Sequence, residues 1–285
     1  MARKRVIYQS EALYVAATGN NATATKLDRV QNINYGFDIP RQDVNEFGKL
    51  ARIDQVILES PTVSLDYSYY VTTGKNEDLI GFKMTHGSDT SALTNMLNGT
   101  EDIKNYYIVT VPEGSDEVGY DRASTPLSGT GATPKQAGVI GLGNMSMTSY
   151  SVEAAGGGFP TATVNAEGLN IRFENQVDGT SVGDAYQLEG DAGTTGDANN
   201  PPSALRPGDV NLVFDDNNDD TMLRGVDLSE IKLQSANISL DLGREDLLRL
   251  GNKFAFSKEV DYPVTVSMTA EALISDTREF DLSSV

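Results

Sequence analysis

Cysteine and tryptophan are absent from the 285 residues, and histidine occurs once, as His86. Without cysteine there are no disulfides, no thiolate metal sites and no thiol catalysis, and the redox compartment leaves no trace. His86, in "KMTHGSD", has Ser88 and Asp89 nearby. Catalytic triads draw on dispersed positions, however, so this reads as a loop histidine ahead of a helix cap. Basic residues are scarce: 22 Lys plus Arg stand against 41 Asp plus Glu, a formal net charge of -19. Such a surface stays soluble and repels polyanions, which argues against a nucleic-acid grip. The one basic cluster, "ARKR" at 2–5, suits an acidic neighbouring subunit as well as it suits DNA. Long apolar runs are missing too. "MARKRVIYQSEALYVAA" is interrupted by Gln9, Ser10 and Glu11, and reads as neither a signal peptide nor a membrane span.

What the chain does have is alternation. Ile33, Tyr35, Phe37 and Ile39 alternate with Asn32, Asn34, Gly36 and Asp38. Val63, Leu65, Tyr67, Tyr69 and Val71 alternate with Ser64, Asp66, Ser68 and Tyr70. Ala236, Ile238, Leu240 and Leu242 repeat the pattern, as do Val264, Val266, Met268, Ala270 and Ala272. Period two predicts half-buried strands, hence a mainly β protein. Ile231 and Leu233 are out of phase with Ala236 onward, which predicts a bulge near Gln234. Helical signals are short. "SDTSALTNMLNG" offers an N-cap at 88–90, an apolar face of Ala92, Leu93, Met96 and Leu97, and a stop at Gly99. "RQDVNEFG" and "REDLLRLG" read as short helical corners closed by Gly48 and Gly251.

The loops offer little chemistry. Residues 114–138 and 177–209 are rich in Gly, Ser, Thr and Pro, and between Glu174 and Asp220 there are 11 acidic residues and one basic, Arg206. Such a run reads as a solvated insertion. "DDNNDD" at 215–220 starts like a calcium loop, but Asp220 stands where glycine belongs and Val226 where the bidentate glutamate belongs. "GVIGLGNMS" at 138–146 has clustered glycines without a βαβ unit around them, so a phosphate cradle is not expected. With 41 acids, accidental carboxylate pairs are guaranteed and none stands out. No catalytic residue, cofactor or metal site is expected; the chain reads as non-enzymatic.

One feature stands above this background. Residues 29–48 align with 232–251 without a gap, and six of 20 positions are identical: Gln31/Gln234, Asn34/Asn237, Asp38/Asp241, Arg41/Arg244, Asp43/Asp246 and Gly48/Gly251. Roughly one identity would arise by chance at ordinary residue usage. Both copies run on to a proline, Pro61 or Pro263, that opens a return strand. A third hairpin, "NMSMTSYSVEAAGGGFPTATVNAEGL" at 144–169, turns at Pro160 and lacks the Arg-x-Asp corner. Hairpins with a polar alternating face expose hydrogen-bonding edges, and pairing edge to edge with neighbouring subunits into a closed barrel removes them.

In "RVQNINYGFDIPRQDVNEFGKLARIDQVILESPTVSLDYSYYV" (29–71), "KLQSANISLDLGREDLLRLGNKFAFSKEVDYPVTVSMTAEAL" (232–273) and the hairpin between them, the sequence resembles the tail tube proteins of long-tailed bacteriophages. The likeness covers somewhat under half the chain and implies a β-sandwich with short flanking helices, whose broad hairpins form an inter-subunit barrel. It divides the chain into an arm and first strand at 1–28, a tube-like half at 29–142 carrying hairpin 29–71, and a second half at 143–285. That second half carries hairpins 143–171 and 232–273 and the acidic insertion 174–220. It implies a structural virion protein of the tail, made in the host bacterial cytoplasm, whose rings stack into a channel for DNA ejection. The rings would be hexamers, or trimers with pseudo-six-fold symmetry. Other tail proteins would be its partners, DNA would pass without specific binding, and no membrane would be involved. Arg41, Asp43, Gly48, Arg244, Asp246 and Gly251 would be corner or interface residues, and Asp38, Asp66 and Asp241 would face the lumen. The alternatives are a tail end-ring protein (distal tail or terminator) and a calcium-dependent carbohydrate-binding β-sandwich.

Overall fold

The computed structural model describes residues 11–19, 22–57, 61–84, 91–99, 102–110, 138–174, 180–181, 184–188, 203–210, 231–251, 255 and 257–274. His86, the N-cap candidates at 88–90, "ARKR", "DDNNDD" and nearly all of loop 114–138 lie outside these residues.

The strands are β1 Glu11–Ala17, β2 Ala22–Lys26, β3 Val30–Asp38, β4 Arg41–Val44, β5 Asp54–Ile57, β6 Thr62–Tyr70, β7 Ile103–Thr110, β8 Gly138–Ala155, β9 Thr161–Gly168 and β10 Asn170–Glu174. They continue with β11 Thr180–Ser181, β12 Asp184–Leu188, β13 Ile231–Asp241, β14 Arg244–Leu247, β15 Ser257–Val260 and β16 Thr265–Ile274. Two short helices are described, α1 Lys75–Ile80 and α2 Thr94–Leu97. The protein is mainly β, as the alternation predicts. The return strands β6, β9 and β16 start within two residues of Pro61, Pro160 and Pro263. A residue without an N–H fits the start of a strand and not its interior.

Twelve strands form one sheet, and the long strand β8 is its pivot. The front of β8 lies between β7 and β10, and its back lies between β9 and β13. Between the two halves sits Asn144 at φ 53, a left-handed conformation that Asn tolerates better than most residues. The Asn105 side-chain oxygen accepts the Asn144 amide at 3.0 Å and holds the bend. Next to it Gly168 has no room for a side chain, because a Cβ there would sit 2.9 Å from the Gly143 carbonyl oxygen. The glycine run 138–146 therefore belongs to a paired strand, with Gly141 opposite both Tyr107 and Arg172.

The bend folds the sheet into two layers. One holds β2, β1, β7, the front of β8 and β10; the other has the order β3–β6–β9–β8–β13–β16. Tyr67 on β6 and Tyr106 on β7 are three steps apart along the sheet, yet their rings lie 5.8 Å apart and their hydroxyls 3.4 Å. Only face-to-face packing allows this. Leu13, Val15, Leu65, Tyr69, Ile108, Leu142, Val164, Leu240 and Leu242 fill the space between the layers.

Helix α1 closes one end of the sandwich and brings polar groups with it. Gly74 and Gly81 flank it at φ 81 and φ 117. Asn76 is fully buried: its Oδ1 accepts the Asp28 amide at 2.9 Å and its Nδ2 donates to the Asp28 carbonyl at 2.8 Å. The buried Glu77 Oε1 accepts from the hydroxyls of Tyr69 (2.9 Å) and Tyr150 (3.2 Å), so one carboxylate ties β6 to β8. Helix α2 is only four residues long, and the Ser91 hydroxyl accepts the amide of its N-cap Leu93 at 3.3 Å.

The two corners expected to be helical are instead small hairpins. β4 pairs with β5 and β14 with β15, each pair forming its own two-stranded sheet. The apolar spacing that suggested helices, Val44 with Phe47 and Leu247 with Leu250, has no surface to pack on: Phe47 and Leu250 are fully exposed. Residues 41–44 and 244–247 satisfy their backbone groups across a ladder instead.

Candidate functional site

The duplication seen in sequence is a duplication of structure at a constant offset of 203 residues. Pairings Asp38↔Thr62, Asn34↔Asp66 and Arg41↔Ile57 recur as Asp241↔Thr265, Asn237↔Thr269 and Arg244↔Val260. The bulge expected near Gln234 lies between Leu233 and Ser235, and an equivalent one lies between Val30 and Asn32, at Gln31. Gly48 and Gly251 both adopt the left-handed region, at φ 89 and φ 87, in the turns of the small hairpins and not as helix caps. Nothing lies within 4 Å of a Cβ built on either, so the backbone alone calls for glycine.

The two copies occupy the two edges of the six-strand layer: among the described residues no strand pairs with β3 beyond β6 at one edge, or with β16 beyond β13 at the other. The face pointing away from the core is small and polar. One row across all six strands reads Asn34, Asp66, Asn165, Ser149, Asp241, Thr265; the next reads Asn32, Ser68, Thr163, Ser151, Ser239, Ser267. Neither row contains a basic or an aliphatic residue. Asp38, Asp66 and Asp241 thus share one face, Asp66 and Asp241 in the same row and Asp38 four residues along β3. Over Ser149, Ser151, Ser239, Asp241, Thr265 and Ser267 the face is concave, with a hollow of about 680 Å³.

The opposite, apolar face is covered only in the middle. Towards the edges Tyr35 is 40% exposed, Phe37 49%, Val266 54% and Met268 40%. Exposed apolar groups on a free edge strand favour association unless something covers them.

The copies differ in how the Arg-x-Asp corner is held. Arg244 is buried: Nη1 donates to Asp102 Oδ2 at 2.9 Å, Nη2 to Asp102 Oδ1, and Nε to the Met147 carbonyl at 3.1 Å. Lys258 approaches Asp246 at 3.4 Å and Glu167 at 3.8 Å. The second small hairpin is therefore fastened to its own chain. In the first copy Arg41 is exposed, and Asp43 pairs within its hairpin, with Arg52 at 2.9 Å, and with nothing else among the described residues. Val44, Phe47, Leu50, Ile53 and Val56 are all exposed along it. Sequence reasoning grouped Arg41 with Arg244; the partner that separates them, Asp102, lies 142 residues from Arg244 and carries no local signal.

Among the described residues no three His, Cys, Asp or Glu side chains are placed to hold a metal ion, and no helix is long and apolar enough to cross a membrane.

No protein-family model and no curated protein matches the chain. Solved structures similar to it include the sheath–tube complex of an extracellular contractile injection system (PVC) in its extended state, at TM-score 0.38 and 8% identity, covering 61% of this chain and 94% of that one. The SPP1 tail tube is similar at TM-score 0.36 and 11% identity, covering 61% and 81%. The sheath/tube terminator of the PVC system is similar at TM-score 0.35 and 10% identity, covering 61% and 99%.

Proposed function

We propose that this chain is a non-enzymatic structural protein of a phage tail, a tube subunit that closes into rings through its two hairpin edges and stacks into a channel for DNA. The observation that carries the reading is the six-strand layer with a duplicated hairpin at both free edges and a polar face free of cations across its two central rows. Six antiparallel strands leave β3 and β16 running in opposite directions. The β3 edge of one copy can then continue the sheet against the β16 edge of the next without breaking alternation. Closure covers the exposed Tyr35, Phe37, Val266 and Met268 and turns the Ser/Thr/Asn/Asp face inward. Such a lumen offers passing DNA no cation for a phosphate to hold.

The strand order also bears on symmetry. The copies lie four strands apart inside a chain and two apart across a seam. Equal spacing would need three strands, which would reverse strand direction. This favours a ring of whole-chain repeats over a trimer imitating six-fold symmetry. Three copies would close about 18 strands into a barrel about 35 Å wide between backbones, and six copies one about twice as wide.

Negative-stain electron microscopy of the purified chain across a concentration series tests the proposal. Hollow cylinders are expected. Single rings that never stack would assign it to a tube end, and monomers at every concentration would refute ring formation.

A further inference from the structure

The duplicated hairpin also fixes how two neighbouring copies register. We infer that β3 of one copy pairs with β16 of the next so that Asp38 faces Ser267. The inference rests on the edge-to-edge ring proposed above and adds to it a specific alignment.

The sheet's own stagger carries the argument. Starting from Asp241 on β13, the row crosses Ser149, Asn165 and Asp66 and arrives at Asn34 on β3. The counterpart of Asp241 in the first copy is not Asn34 but Asp38, four residues further along. Four strand steps separate β13 from β3. The second copy becomes the first by advancing one residue per strand. At a rise of about 3.3 Å per residue and a strand spacing of about 4.8 Å, that stagger tilts the strands by about 35° to a barrel axis, within the range that closed barrels adopt. The spacing of the two hairpins within one chain thus already matches the stagger of a closed barrel.

Continuing the same stagger across the seam leads from β3 over the next copy's β16 to its β13, two steps and therefore two residues. The row through Asp38 then meets Ser239 of the next copy, and Ser239 is paired with Ser267 on β16. Reading outward from Asp38 opposite Ser267, Phe37 faces Met268, Tyr35 faces Ala270 and Asn34 faces Glu271. Side-chain parity is kept without adjustment: polar residues meet polar ones on the polar face. The half-exposed Phe37 and Met268 meet on the other face, where sulfur packs favourably against an aromatic ring. Val266, the most exposed of these edge residues, falls opposite Ile39.

The chain has no cysteine, so engineered thiols report contacts without background. Three double variants are made, Asp38→Cys with Ser267→Cys, with Thr265→Cys, or with Thr269→Cys. Each is confirmed as assembled by electron microscopy, oxidised with copper phenanthroline and run on a non-reducing gel. A two-residue slip moves a Cα by about 6.6 Å, beyond what a disulfide spans, so the first pair should give about tenfold more covalent multimer than the other two. Strongest linkage through Thr265 or Thr269 overturns the register while leaving edge pairing intact. Assembled particles without linkage in any variant overturn edge pairing itself. Failure of all three variants and of the parent chain to assemble overturns the ring.

Discussion

Arg41 and Arg244 occupy one position of a repeat, yet the physics around them differs. The Arg244 side chain is 4% exposed and Asp102 is 12% exposed. Removing the guanidinium strands a largely buried carboxylate and leaves the Met147 carbonyl without the Arg244 donor. Breaking a buried ion pair from one side costs about 3–5 kcal/mol, so Arg244→Ala should lower the urea midpoint well below that of the parent chain. Arg41 is exposed and holds nothing in its own chain among the described contacts. Arg41→Ala should leave the urea midpoint unchanged and raise the concentration at which particles form, read by sedimentation. Equal loss of folding stability in the two variants would mean that Arg41 is bound within the monomer. Had only the sequence been weighed, both arginines would have been assigned one role, because Asp102 is distant along the chain and α1, which caps the same sandwich, was not foreseen at all. Its signals were present: Gly74 and Gly81 at the flanks, Glu77 and Asp78 in the first turn.

At the scale of elements, the two layers are joined by phenols. Tyr67, Tyr69, Tyr106 and Tyr150 are buried, and burial is the first cause that raises each of their pKa values. Tyr106 is pushed up to about 12; Tyr69 goes higher still through burial and then the neighbouring Tyr150 and Glu77, and Tyr150 goes higher through burial and then the charge on Glu77. In the unfolded chain these groups ionise near pH 10. Between that pH and the folded values the unfolded state binds fewer protons than the native state, so stability is intact below pH 10 and falls as pH rises above it. Urea midpoints measured from pH 8 to pH 12 should decline steeply above about 10, with several phenolic protons released on unfolding; a flat profile would show the phenols exposed. The long strands around these tyrosines were legible because one face of each packs against a core, and burial imposes period two. The bulge at Gln234 was legible as a slip of phase. Its twin at Gln31 rests on the same slip, from Val30 to Ile33, but one apolar residue before a slip looks like a strand end. The first small hairpin leaves no periodicity because its four-residue strands are exposed on both faces, and the second is held by Arg244 and Asp102 rather than by an alternating apolar face.

For the whole molecule, the balance that decides assembly is between apolar edges and like charge. Each copy carries a formal charge of -19, and the ring proposed above would bring Asp38, Asp66 and Asp241 of every copy onto one polar face. Attraction between exposed pairs such as those open to Arg41 contributes about 0–1 kcal/mol each and fades with salt. The repulsion is shared among many groups, and in the proposed ring the apolar contact of Phe37 and Tyr35 with the opposing edge would not depend on salt. Repulsion between copies should therefore dominate the ionic term. Raising ionic strength from about 10 mM to about 150 mM shortens the Debye length from about 30 Å to about 8 Å, which removes most of the repulsion across a seam. The concentration needed for ring formation, followed by light scattering, should fall over that range, and Asp66→Asn should lower the salt requirement further. The opposite trend, rings that dissolve as salt is added, would make charge pairing at the first small hairpin the force that closes the ring. Arg41→Ala would then be the variant that abolishes the salt effect.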